Sequence, residues 1–134
     1  MNIIRKLQAF FQKSRHVLVV DFFGAMVTSL ATVLLLASGL LLTGLPTWLL
    51  YAMALVALGF MCIDVAAIFQ FFDATIALAT MAYLNMSYCI AVLVLLFVYR
   101  SETTELGLVY FCVEIGVVIP LAWWEWTISE RCDT

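Results

Sequence analysis

The sequence predicts an all-α, polytopic membrane protein: an antiparallel four-transmembrane-helix bundle preceded by an amphipathic helix lying in the membrane interface. Three observations carry this expectation. The chain is 66% hydrophobic and only 11% charged, with a mean hydropathy of +1.15; soluble domains are about one-quarter charged, so water is not its main solvent. Four long apolar runs occur, at residues 17–42, 48–72, 74–99 and 106–126, each long enough for the about 20 residues that a helix needs to cross ~30 Å of hydrocarbon. The links between them are short, which forces neighbouring helices to run antiparallel.

The first 16 residues place Ile3, Ile4, Leu7, Phe10 and Phe11 at helical spacing, with Arg5, Lys6, Lys13 and Arg15 mostly on the other side. A basic amphipathic helix of this kind lies on the lipid surface, its cations facing anionic headgroups. A cleavable signal peptide is the rival reading, but the apolar run that follows is much longer than an h-region. An uncleaved anchor is therefore expected. The four runs themselves are nearly continuous in apolar character, whereas a transmembrane strand alternates. The links are residues 43–47 with Gly44 and Pro46, a tight connection at Asp73, and residues 100–105. At 134 residues the chain makes a single membrane domain, closing with a cytoplasmic tail at 127–134.

Four of the six basic residues precede the first span. Basic flanks stay on the cytoplasmic side, so the N-terminus is expected there, and an even number of crossings returns the C-terminus to the same side. In a bacterial cell this is a multi-pass protein of the inner membrane. Trp48 then falls at the outer interface and Trp123, Trp124 and Trp126 at the inner one, where indole rings are favoured. In the first span Gly24, Thr28 and Thr32 recur every four residues beside Ala25 and Ala31, a small-residue stripe expected to face the bundle. Pro120 interrupts the fourth span and predicts a kink near Gly116.

The chemistry of the chain rests on polar side chains within these spans. Asp21, Asp64, Asn85 and Glu114 fall one to a run, and an acidic residue near a span centre costs about 2.5–3.5 kcal/mol, so it turns inward and finds a partner. No basic residue lies between positions 17 and 99 or between 101 and 130. Asp64 and Glu114 must then be protonated, hydrogen-bonded, cation-bound or paired with another chain. At ~1.5 Å per residue, Asp21 counts as close to the inner face, where it meets headgroups, Arg15 or His16. Asp64 and Asn85 come at nearly equal depth, which predicts a hydrogen bond between them. Helical spacing adds Tyr88 to Asn85 and Tyr110 to Glu114. The expected site for a proton, cation or substrate is thus Asp64, Asn85, Tyr88, Tyr110 and Glu114. Glu125 reads as an interfacial charge, like Asp73, Glu102, Glu105, Glu130 and Asp133.

Three classes of function fit: a small carrier or ion-binding bundle working through buried carboxyls, a non-catalytic assembly subunit of the membrane, or a membrane-embedded enzyme acting on lipid. The lipid bilayer is the first partner, with a second copy or another membrane subunit as the protein partner. Interhelical hydrogen bonding alone is the plainest account of the polar residues. No nucleophile stands with a base, and Ser87 or Cys89 near Glu114 is too loose a pairing. The four cysteines include no CxxC and no metal-type spacing, and no intramembrane histidine is available for haem. No metal or cofactor is expected, and the short basic segment fits lipid rather than nucleic acid. The glutamate within the first helix that small multidrug exporters carry has no counterpart here; only Asp21 occupies that run.

Overall fold

A computed structural model describes residues 2–37, 43–71 and 73–133, with the side chains of 6–8, 10–14, 35–37, 74, 132 and 133 outside the described set. Every regular element among the described residues is an α-helix: α1 (Asn2–Ala37), α2 (Thr47–Ile68), α3 (Ala74–Val98) and α4 (Glu105–Asp133). Each contains a segment long and apolar enough to cross a membrane: Arg15–Leu34, Thr47–Ile68, Thr75–Val98 and Glu105–Arg131. Between 28% and 33% of each segment is buried inside the protein. The remainder is an outward surface of Leu, Val, Ile, Phe and Trp, which only lipid solvates without penalty. These are the helices of a multi-pass membrane protein.

Helix limits follow local chemistry. Pro46, at φ −58° and ψ 142°, leads into α2 with its carbonyl accepting from Leu49 N–H at 3.1 Å. α2 ends where Gln70 adopts φ +64°. Its N–H donates to Ala67 O at 3.1 Å and Phe71 N–H to Ala66 O at 2.9 Å, the double bond of a Schellman motif built on a non-glycine residue. Asp73 caps α3 by accepting Thr75 N–H at 2.9 Å, a capping role added to the exposed charge expected from sequence. The Thr104 hydroxyl accepts Gly107 N–H at 3.1 Å at the start of α4.

The two loops at one end are tied together. Thr104 N–H donates to Thr43 O at 3.0 Å, Gly44 turns at φ +75° with its α-carbon against the Glu102 backbone, and a Cβ on Gly107 would lie 2.7 Å from Thr43 O. Glycine is required at both positions. α1 packs chiefly along α2 and α3 along α4, while contacts between these two pairs are sparser, and the backbones of α2 and α4 do not approach closely among the described residues. One apolar cluster, including Leu49, Leu50, Met53, Cys89, Val92 and Phe111, fills the end near the tied loops. A second, of Val17, Leu18, Ala67, Leu78, Leu121 and Ile128, fills the other.

Two boundaries differ from expectation. The N-terminal segment 1–16 is not set apart from the first span: from residue 2 it continues into α1 without a break, so residues 2–16 and the span that follows are one helix ~54 Å long. Arg5 and Arg15 are exposed, while the side chains of Lys6 and Lys13 lie outside the described set, as do residues 38–42 of the first run and Phe72 of the second. At the other terminus α4 runs through Pro120 and on to Asp133, so most of the expected tail is helix.

Candidate functional site

Each helix delivers one polar side chain to a common layer. Asp21 comes from α1, Asp64 from α2, Asn85 from α3 and Glu125 from α4, and all four are buried. Local sequence explains why. On α3, Leu78, Met81, Ala82, Asn85, Cys89 and Val92 form a single buried stripe at three- and four-residue spacing. On α4, Glu125 sits between buried Leu121 and Ala122 on one side and Ile128 and Ser129 on the other. The apolar neighbours fix these faces inward, and the polar side chains are carried with them.

Asn85 is the hub of the layer. Its Nδ2 donates to Asp21 Oδ1 at 3.2 Å and to Glu125 Oε2 at 3.1 Å, using both N–H groups of the amide. The carboxyls of Asp64 and Glu125 each come within hydrogen-bonding reach of the Asp21 carboxyl. Both oxygens of Asp64, Oδ2 of Asp21 and Oε1 of Glu125 receive no N–H or O–H among the described residues. No basic residue occupies positions 17–99 or 101–130.

A second group lies one turn along α3. Tyr88 O–H donates to Glu114 Oε1 at 2.9 Å, while Glu114 Oε2 is buried without a donor. Tyr110 stands beside Glu114 and reaches the Thr32 hydroxyl, and the Phe60 ring meets Tyr88 edge to face at 6.2 Å. Between the two groups opens a cleft of about 480 Å³. Asp21 and Asn85 line one part of it, Tyr88, Tyr110 and Glu114 another, and the walls are otherwise apolar.

The expected site is therefore divided. Tyr88, Glu114 and Tyr110 do come together, but the expected Asp64–Asn85 hydrogen bond is replaced by bonds from Asn85 to Asp21 and Glu125. Asp21 is 4% exposed and Glu125 fully buried, so both are packed side chains and not the open, headgroup-accessible charges inferred from sequence. The signal that finds Glu125 is its place at the centre of the 121–122–128–129 stripe. The small-residue stripe of α1 is also reassigned. Gly24 would place a Cβ in open space, and Gly24, Ala25, Thr28 and Ala31 line the cleft; only Thr32 of that stripe is fully buried.

Among the described residues, no group of three or more His, Cys, Asp or Glu is arranged to hold a metal ion. The Asp21 carboxyl instead stands between those of Asp64 and Glu125. No family model, curated protein or solved structure matches the chain.

Proposed function

We propose that this protein is a small proton-handling carrier of the inner membrane, an antiparallel four-helix bundle with both termini cytoplasmic, in which the carboxyl layer holds and releases the coupling proton. The observation behind this reading is the Asp21 carboxyl set between those of Asp64 and Glu125, with Asn85 bonded to Asp21 and Glu125 and both Asp64 oxygens lacking a donor. Carboxylates in contact at low dielectric cannot all be ionised. A carboxyl–carboxyl contact becomes attractive only when one partner is protonated and donates, so the layer retains at least one proton, and the proton belongs to the set rather than to one residue. Interhelical attachment alone requires no carboxyls; amides and hydroxyls supply it at lower desolvation cost.

Infrared difference spectroscopy of the protein in nanodiscs tests the proton directly. A neutral-carboxylic-acid carbonyl band is expected at neutral pH, shifting on exchange into D2O and reduced in Asp64→Asn. Its absence from the wild-type protein refutes the reading. Reconstituted Asp64→Asn and Glu114→Gln proteins should insert and fold yet lose proton-coupled uptake.

A further inference from the structure

We infer that the cleft between α1 and α4 is a lateral binding site for a lipophilic amine, an organic cation with an apolar body, which enters from the lipid and seats its ammonium group on Glu114. The inference deepens the carrier reading and rests on it for the claim of transport, but the binding site itself stands on separate observations. The cleft of about 480 Å³ is in the size range of sites for drug-sized molecules. Its rim on α1 includes Val20, Phe23 and Val27, and on α4 Val113 and Val117, all exposed and all inside the candidate spans Arg15–Leu34 and Glu105–Arg131. Exposure at that depth faces acyl chains, so the mouth opens sideways into the bilayer.

The interior selects charge as well as shape. Glu114 is 9% exposed and lines the cleft with Oε2 unpartnered, while Tyr88 holds Oε1 at 2.9 Å. One oxygen is thereby fixed and the other left to accept a donor. A buried acceptor without a donor is expensive, and a cationic N–H makes the strongest partner for it. The rings of Phe23, Phe60, Tyr88 and Tyr110 also line the cleft, and aromatic faces attract a desolvated cation. An anion would meet the Asp21 and Glu114 carboxyls on the same walls and no basic side chain among the lining residues. A lipid headgroup amine is disfavoured for a related reason, since it would carry its phosphate towards those carboxyls. Gly24 lines the cleft, and a Cβ there would meet nothing within 4 Å, so the position has room for a larger side chain that would occupy the space.

Equilibrium dialysis of radiolabelled N-methyldibenzylamine against the full chain tests the site, using nanodiscs of phosphatidylcholine and phosphatidylglycerol with empty discs subtracted. Saturable binding is expected, displaced by unlabelled amine but not by dibenzyl ether, which has a similar shape and no charge. Glu114→Gln should weaken binding at least tenfold, and Gly24→Leu, which fills the open space, should remove the saturable component. Including phosphatidylethanolamine in the discs should leave the affinity unchanged. Equal displacement by the ether, wild-type affinity in both variants, or competition by phosphatidylethanolamine overturns the proposal. Absence of saturable binding to a wild-type protein that shows the neutral-acid infrared band overturns the amine site alone. Saturable binding without the band upholds the site and removes the proton-handling reading.

Discussion

Replacement of Asn85 isolates the central interaction of the polar layer. Its amide donates at 3.2 Å to Asp21 and at 3.1 Å to Glu125, so Asn85→Leu deletes two interhelical hydrogen bonds while nearly preserving side-chain volume. Such bonds inside a membrane bundle are worth about 0.6 kcal/mol on average and up to about 1.7, which gives a loss of about 1–3 kcal/mol for the pair. The assay is equilibrium unfolding in mixed micelles, arranged as double-mutant cycles. Coupling energies of about 0.6–1.7 kcal/mol are expected between Asn85 and Asp21 and between Asn85 and Glu125. The Asn85–Asp64 cycle should be smaller, because Asp64 meets the amide only through the Asp21 carboxyl. An Asn85→Leu protein as stable as the wild type, or a coupling largest with Asp64, refutes the arrangement.

Other substitutions test the frame around the site. Gly44→Ala combines a left-handed backbone at φ +75° with overlap on the Glu102 carbonyl, so a destabilisation of about 2 kcal/mol or more is expected in the same unfolding assay. Gln70→Gly relieves a non-glycine residue at φ +64° and should raise stability by about 0.5–1 kcal/mol. For topology, single cysteines at the exposed positions Glu102 and Phe71 are introduced after replacing all four native cysteines. A membrane-impermeant maleimide should label Glu102→Cys in intact cells and reach Phe71→Cys only after lysis; the reverse pattern inverts the orientation.

The number and type of spans were legible because lipid imposes a single strong rule: an unbroken apolar run of about 20 residues satisfies its backbone only as a helix. The faces of α3 were legible for a related reason, since Asn85, Tyr88 and Cys89 sit at spacings that share one side. Depth was less so. Hydropathy locates where apolar character stops, whereas a helix continues for as long as its backbone remains paired. α4 therefore carries Glu125 well inside its packed face even though Trp126 closes the apolar run. The partner of Asn85 was equally hidden, because it depends on helix rotation. Equal depth on α2 and α3 does not bring Asp64 and Asn85 into contact when α3 presents its amide towards α1 and α4. The cleft could not be read at all: Gly24 and Thr28 signal close helix approach in one arrangement and open space in another.

The distribution of contacts bears on why the polar residues lie where they do. α1 packs mainly with α2 and α3 mainly with α4, and apolar surfaces alone give such pairs little reason to join, since acyl chains solvate Leu as well as Leu does. The Asn85–Asp21 bond crosses from one pair to the other, while the Asn85–Glu125 and Tyr88–Glu114 bonds lie within the α3–α4 pair. The same seam contains the cleft. Attachment accounts for the donors that are used but not for the acceptors left over: both oxygens of Asp64 and one each of Asp21, Glu114 and Glu125. An asparagine at position 64 would retain a polar group there and add a donor for Asp21, so on stability alone Asp64→Asn should be neutral or favourable. On the proton-handling proposal, a carboxyl stands at position 64 for its proton. Asp64→Asn should therefore separate the two roles, keeping or raising the unfolding free energy while removing proton coupling.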